Sequence, residues 1–515
     1  MSTIHTVLPL IVVLPLLGAF SSPIFDLISR KLKEAWILAI SAGTLGVTGY
    51  VFYYVFKNGP LLYTMGATNP FGHANFPIRI VWEIDMFNAL IALTVAFVSL
   101  MAIIYSIEYM KRDTGLEKYY PLILILELGM LGIVVTGDLF NFYVFLEIMS
   151  IASYALVAFR NDTWEGIEAG VKYMMVGALA SSFILLGIAL LYGQYGTLTM
   201  AYIAYKMAGH MTTTAKVALA LLMAGLLFKS GSVPVHMWLA DAHPAAPSSV
   251  SAMLSGLVIK AGGIYILARI LFSIYGPSIN VRTVGWIVII FACLTLIIGN
   301  AMAVVQTDMK RLLAYSSVGQ MGYILLGVGI GLAAYGSNVG NLALAGAIYH
   351  TVNHALMKAL LFLIAGVVIH SLGTRNLNDL SGIAKTMPVT SFAFIIGAAA
   401  IIGMPPLNGF ASKWILYESS ALFNPVIGAI AIIGTAFCTA AYVRVIYTFF
   451  GRPNSLTMKA KDPGKSMLIP IIILTVAIIV MGLFPWTINK DFMLPAAKAL
   501  VNQMGYIHTL FAGGV

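Results

Sequence analysis

The stretch NFYVFLEIMSIASYALVAF, residues 141–159, reads as a membrane helix at every position but one. Crossing a bilayer core of about 30 Å takes about 20 apolar residues in helix, and this run supplies them with Glu147 in its middle. A charge at that depth costs roughly 2.5–3.5 kcal/mol on insertion scales, which makes it a functional hypothesis from the outset. The rest of the chain has the same character. Of 515 residues, 60% are hydrophobic and 9% are charged, and the mean hydropathy is +0.93, whereas soluble domains are about a quarter charged. The sequence is that of an all-α polytopic membrane protein.

Windows of similar length, bounded by charges, Gly or Pro, recur about fourteen times: 5–25, 35–56, 84–107, 121–136, 139–159, 168–192, 215–239, 247–272, 284–305, 311–333, 341–369, 388–422, 424–450 and 467–487. The first has no basic flank or small-residue cleavage site before it, so it is expected to be a retained span rather than a signal peptide. Loops after odd-numbered spans hold most of the Lys and Arg, among them Arg30, Lys31, Lys33, Lys111, Arg112, Arg160, Lys310, Arg311, Arg375 and Lys459. Loops after even-numbered spans hold fewer, such as Lys57, Lys206, Arg269 and Arg282. Because basic loops resist translocation, both termini are expected outside, in the plasma membrane of a prokaryote. The net charge of +10 is accounted for by these anchors, and a nucleic-acid partner is not expected.

Cys293 and Cys438 stand singly in apolar spans. They cannot supply the four thiolates usual for an iron–sulfur cluster or a cysteine-based zinc site. Neither a GxGxxG turn nor a GxxxxGK[ST] loop occurs. The expectation is a chain with no catalytic redox centre, no metal and no cofactor of its own.

Glu147 has company within the spans. Glu127, Lys229, Lys260, Lys358 and Lys413 all interrupt apolar sequence. Unpaired, the six together would cost on the order of 15–20 kcal/mol, more than the stability margin of a typical protein. They must pair, be hydrated or lose their charge. Ion pairs that merely fix helix packing are the bland reading, most apt for Glu127, but packing is served at lower cost by small residues and hydroxyls. Lysine suggests more, because its proton affinity falls when it is desolvated and rises when a carboxylate approaches. Glu147 is therefore expected to set the proton affinity of a buried lysine, with Lys229 as the first candidate.

Pro234 follows Lys229 by five residues and Pro406 precedes Lys413 by seven. Proline breaks a helix, and freed backbone groups survive at membrane depth only beside protein or a water-filled cavity. Broken helices bearing an ionisable residue in corresponding places are the usual pointer to a transporter's ion path. The breaks fall in the seventh and twelfth spans, five apart. This spacing implies two inverted five-helix repeats, 121–272 and 273–450, preceded by three spans in 1–120 and followed by the fourteenth span and a tail in 451–515. His350, His354 and Lys358 recur every four residues along one stripe of the eleventh span. A histidine pair at that spacing can bind metal, but no carboxylate or cysteine accompanies it, which leaves packing or a proton relay. His236, Asp241 and His243, in and after the seventh-span break, read either as loop polar groups or as part of proton uptake.

Four runs carry a resemblance: FKSGSVPVHMWLADAHPAAPSSVSAMLSGLVIKAG (228–262), DMKRLLAYSSVGQMGYI (308–324), HALMKALLFLIAG (354–366) and GMPPLNGFASKW (403–414). Over residues 80–450 the chain resembles the antiporter-like membrane subunits shared by respiratory complex I, Mrp-type cation/proton antiporters and membrane-bound hydrogenases. The resemblance implies proton-transfer roles for Glu147, Lys229, Lys260, His354, Lys358 and Lys413, the last as the exit-side residue; Lys413, rather than glutamate, leans toward the Mrp D-type branch. It also implies work within a multisubunit complex, moving protons and possibly Na⁺. The largest members carry a C-terminal lateral helix, and the chain's end soon after its fourteenth window is not expected to form one. The rival readings are a stand-alone Na⁺/H⁺ antiporter, which would favour a carboxylate-rich site, a structural membrane anchor of a redox complex, and a quinone-reducing enzyme.

Overall fold

The computed structural model describes residues 3–66, 79–209 and 211–512; the stretch 67–78 of the expected N-terminal unit lies outside them. Among the described residues, twelve helices are long and apolar enough to cross a membrane. They coincide with twelve of the expected windows, from Ile4–Ile28 to Lys465–Leu483. The other two windows, the seventh and twelfth, are pairs of shorter helices. Thr213–Lys229 and Met237–Ala245 make up the seventh, and Pro388–Ile402 and Asn408–Phe423 the twelfth. The interruptions sit at Pro234 and at Pro405–Pro406, where the missing N–H ends the helical ladder.

The backbone at each break is satisfied by neighbours, as membrane depth demands. Val233 N donates to Thr295 Oγ1 (3.0 Å) and Trp238 Nε1 to Phe228 O (3.2 Å). Close approach of the flanking helices depends on glycine. A Cβ on Gly409 would collide with Ala400 O, and one on Gly263 would fall 2.7 Å from Ser230 Cα. Gly409→Val is therefore expected to force the two halves of the twelfth span apart, at a cost of roughly 1–3 kcal/mol or more. Thermal unfolding of the purified assembly checks this, and an unchanged transition would contradict the packing.

Burial is uneven. The most apolar 18-residue stretch is entirely buried in the eighth span, Ser248–Ser278, and 94% buried in the tenth, Met309–Ala333, against 33% in the first. These two spans are the most buried among the described spans and carry many buried polar side chains. The eighth is also irregular: Leu254–Val258, Lys260–Tyr265 and Ile270–Tyr275 are π-helical, a geometry frequent at functional sites.

Two features depart from the sequence reading. The all-α expectation misses an antiparallel hairpin, Leu61–Gly66 with Arg79–Ile84, in register Leu61↔Ile84; its strands are too short and mixed to stand out beside membrane helices. The C-terminal tail forms further helices. Leu494–Val501 and Gln503–Ala512 are helices that turn back into the bundle. Gln503 Nε2 donates there to Ile274 O (2.8 Å) of the eighth span.

Candidate functional site

The fifth span, capped by Asp138, brings Glu147, Ser150 and Tyr154 to one face at helical spacing. Lys229, the last residue of its helix, reaches that face. Its Nζ donates to Ser150 Oγ (2.8 Å) and Tyr154 OH (3.3 Å), with only 7% of the residue exposed. Glu147, expected to set the proton affinity of Lys229, makes no direct bond to it. Among the described residues no ion pair within 4.0 Å joins them, and Glu147 Oε1 instead accepts from Ser181 Oγ. Ser150, one turn from Glu147 on the same helix, receives the lysine instead. Tyr154 packs edge-on against Tyr173, which stacks on Trp238 at 4.2 Å, so the helix beyond the break is held to the same corner.

Farther in, one row of hydrogen bonds joins two lysines. Lys260 Nζ donates to Ser255 O (2.6 Å), a carbonyl of the π-helical segment; the Ser255 and Ser317 hydroxyls meet at 2.6 Å; Ser317 Oγ donates to Leu313 O (2.8 Å). Lys358 Nζ donates to that same carbonyl (2.9 Å) and to Tyr442 OH (3.1 Å). His354, fully buried, has no hydrogen-bond partner on either ring nitrogen, and Lys260, Lys358, His350 and Lys413 surround it at electrostatic range. It stacks on His350 at 6.1 Å.

His350 passes the row to the twelfth span. Its Nε2 meets Gln320 Oε1 (2.9 Å) and its Nδ1 meets Ser412 Oγ (3.0 Å), so both nitrogens are engaged by protein. Asn353 Nδ2 reaches Ser412 Oγ (3.0 Å) and Asn408 O (2.7 Å). Lys413, next to Ser412, donates to Ile401 O (2.8 Å) and Ile402 O (3.3 Å), carbonyls released where the helix breaks, and lies 4.7 Å over the Tyr323 ring. Among the described residues no side-chain hydrogen bond connects Lys229 to Lys260; the two corners meet where the eighth span packs on the seventh-span break at Gly263 and Ser230.

The secondary residues separate. His243 is fully buried, with both ring nitrogens unpartnered, and stacks at 4.6 Å on Phe362. Lys310, Lys358 and Lys260 are the charges that reach it. Asp241, two residues away, sits at the surface in ion pairs with Lys172 (3.1 Å) and Arg311 (3.3 Å). His236 lies inside the break, edge-on to Tyr315, with Nδ1 unpartnered. Glu127 is fully buried with neither oxygen hydrogen-bonded and joins none of these groups.

Several contributors escaped the sequence reading. Lys310, counted as a loop anchor, is 2% exposed. Its Nζ donates to Ala246 O (2.5 Å), closing the C-terminus of Met237–Ala245, where a cation is favoured by the helix dipole. Arg269, also counted as a loop charge, is buried against Asp85. Gln320 and the hydroxyls of Ser255, Ser317 and Tyr442 went unremarked, although Ser316, Ser317 and Gln320 recur at helical spacing within apolar sequence.

Comparison with known proteins places this architecture. Residues 136–439 match the family described as NADH:quinone oxidoreductase/Mrp antiporter, TM. Residues 71–120 match the N-terminus of NADH-ubiquinone oxidoreductase (complex I) chain 5. The N-type subunit of NADH-quinone oxidoreductase from Desulforudis audaxviator is 35% identical over 92% of this chain and 95% of its own length. The D-type subunit of the Na(+)/H(+) antiporter from Alkalihalophilus pseudofirmus is 30% identical over 91% and 92% respectively. Among solved structures, a chain of the membrane-bound sulfane sulfur reductase, an archaeal respiratory membrane complex, superposes with a TM-score of 0.86 at 31% identity, covering 98% of this chain and 99% of that one. A chain of the Mrp complex from Dietzia sp. DQ12-45-1b gives 0.87 at 26% identity, with coverages of 99% and 100%. With its lysine-bearing broken helices and its match to the family over most of its length, the chain belongs to the NADH:quinone oxidoreductase/Mrp antiporter transmembrane family, as an antiporter-like membrane subunit.

Proposed function

We propose that this chain carries protons across a prokaryotic plasma membrane as one subunit of a multisubunit ion-pumping complex, with both termini outside. The observation that carries the reading is the buried row from Lys260 through Ser255, Ser317 and Lys358, and on through His354 and His350 to Lys413, flanked by the Lys229 corner. The Ser255, Ser317 and Tyr442 hydroxyls and the His350 and His354 rings can both accept and donate a proton. The Ser255 and Leu313 carbonyls that hold the two ammonium groups only accept, so water carries the proton across those joints and to the unpartnered His354. Lysines in a dry interior change proton affinity when their surroundings change. A sodium site would favour interior carboxylates, and this row is built of lysines.

Lys229 takes a proton arriving from the cytoplasmic side, and Glu147 favours the charged amine. A movement that draws Glu147 away lowers the lysine's hold, and the proton passes inward to Lys260. Relay along the row delivers it to Lys413, whose ammonium rests on the carbonyls of the broken twelfth span until it is released outside. The two repeats, 121–272 and 273–450, each contribute one such broken helix. The parent assembly would be of the Mrp, complex I or sulfane sulfur reductase kind, and its other membrane subunits would supply the movement.

The test is proton movement by the whole complex in proteoliposomes with Lys358→Met. Methionine keeps the stem and removes the proton-carrying head. Transport is expected to fall at least about a hundredfold, the scale of a lost general acid–base group, with subunit composition unchanged. Transport at the normal rate would overturn the reading.

A further inference from the structure

The fourteenth span, Lys465–Leu483, ends at a kink. Pro485 lacks the N–H that would bond the Met481 carbonyl, and Tyr349 OH donates to that carbonyl instead (2.9 Å). Beside the kink, Gly482 lies against the break of the twelfth span, where a Cβ would collide with Pro406 O and Asn408 N. Between the chain beyond Gly482 and the helix Asn408–Phe423 is a cavity of about 350 Å³, walled by Phe410, Trp414, Ile415, Pro485 and Trp486, a volume within the range of ligand sites. It opens sideways from the bundle, since Trp414 is 55% and Trp486 80% exposed. Asn489 is the polar side chain in its wall. Only 8% of Asn489 is exposed, and its Oδ1 has no hydrogen-bond partner among the described residues. A buried amide oxygen left in that state is costly, and a donor brought by a ligand would relieve it.

The cavity has a deep end and a shallow one. Phe410 and Gly482 lie beside the break, within the span, and from there both helices run on toward the membrane surface. Four residues farther along from Trp414 and Trp486, on the same helix faces, stand Glu418 and Lys490. Both are exposed, and neither takes part in an ion pair among the described residues. Tryptophan favours the level at which hydrocarbon gives way to headgroups, and long charged side chains at that level reach outward to water. The shallow end therefore has an anion and a cation at its rim, while the deep end is apolar.

We propose that this cavity binds one membrane phospholipid with an amino headgroup, its acyl chain between Phe410, Trp414 and Trp486 and its head at the Lys490–Glu418 rim. The apolar walls take the chain, and Lys490 meets the phosphate. The primary ammonium is the only hydrogen-bond donor on such a lipid; it serves Asn489 Oδ1 and balances Glu418. The same chemistry selects among lipids. A choline headgroup has no N–H to donate, and a glycerol headgroup brings hydroxyls but no cation, leaving a net negative lipid beside Glu418. The site is separate from the proton row and does not rest on it. Ser412 and Lys413 lie on the buried side of the same helix, so the lipid braces from outside the helix that carries Lys413.

The experiment places the intact complex in bilayers of phosphatidylethanolamine, phosphatidylcholine and phosphatidylglycerol in equal parts. In each of three samples a trace of one of these lipids carries a photoactivatable group on its chain, and the labelled peptides are mapped by mass spectrometry. Phosphatidylethanolamine is expected to label residues 410–415 and 482–486 at least about tenfold more than phosphatidylcholine, the scale of one hydrogen bond to a charged group. Ala411→Trp, which fills the cavity, is expected to remove that excess. Asn489→Leu is expected to bring the labelling by these two lipids close together. Glu418→Lys makes the rim wholly basic and is expected to turn the preference toward phosphatidylglycerol; it alters only an exposed side chain, so it decides the matter if Asn489→Leu fails to assemble. Equal labelling by the three lipids, or labelling that Ala411→Trp leaves unchanged, would mean passing bilayer lipid and overturn the site. Absence of labelling in the unaltered complex would also overturn it, since a neighbouring subunit would then cover the cavity.

Discussion

A complex carrying Lys229→Met is expected to assemble with its normal subunits and to move protons at about a hundredth of the normal rate or less. The expectation of intact assembly follows from how the lysine is held. Its ammonium donates to two neutral hydroxyls, Ser150 and Tyr154, and Glu147 keeps its own partner in Ser181. Methionine therefore strands no carboxylate, and it removes a charge whose burial is unfavourable. A fold held together by a Glu147–Lys229 bridge would respond in the opposite way, with loss of stability. The loss of transport follows from chemistry, since the thioether cannot take up a proton. The energies involved are modest. Moving one charge through 100 mV requires about 2.3 kcal/mol, and a tenfold change in a carrier's proton affinity supplies about 1.4 kcal/mol, so two such factors suffice. Electrophoresis of the native complex and a pH-sensitive dye in proteoliposomes make the two measurements. Full proton movement in the variant would remove Lys229 from the path.

The spans were legible because the bilayer enforces them: about 20 apolar residues in a row have few other uses, and twelve windows correspond to continuous helices. The two breaks were legible for a related reason, since proline inside a span has a direct backbone consequence. The ionisable residues within spans stood out against apolar neighbours, and the structure brings Lys260, His354, Lys358, His350 and Lys413 into one region. What could not be read was which charges near span ends are buried. Lys310 and Lys111 look alike in sequence, yet Lys310 is 2% exposed while Lys111 is exposed, because only the former meets the end of a helix from another part of the chain. The partner of Arg269 lies 184 residues away, beyond the reach of any local pattern. Ser150 and Tyr154 share a face with Glu147 in the sequence itself, but only packing decides that they, and not the carboxylate, receive Lys229.

Arg269→Met is expected to destabilise the assembly by about 3–5 kcal/mol, the cost of leaving one member of a buried ion pair without the other. Asp85 would be left without its counter-charge in a pocket walled by Phe87, Tyr265 and Tyr506, and Ser273 would lose the guanidinium that reaches it at 3.2 Å. Asp85→Asn alone is expected to be milder, because asparagine still caps the third span, although it leaves the arginine uncompensated. The double variant Asp85→Asn, Arg269→Met is expected to recover much of the loss, since both charges then go together and the cap remains. Thermal unfolding of the purified complex distinguishes the three. The tail loses the Tyr506 contact with the guanidinium in both arginine variants, while its second hold on the eighth span, Gln503 on the Ser273 and Ile274 carbonyls, is untouched in every variant. A double variant no more stable than Arg269→Met would mean that the arginine acts through the aromatic rings stacked about it rather than through its charge.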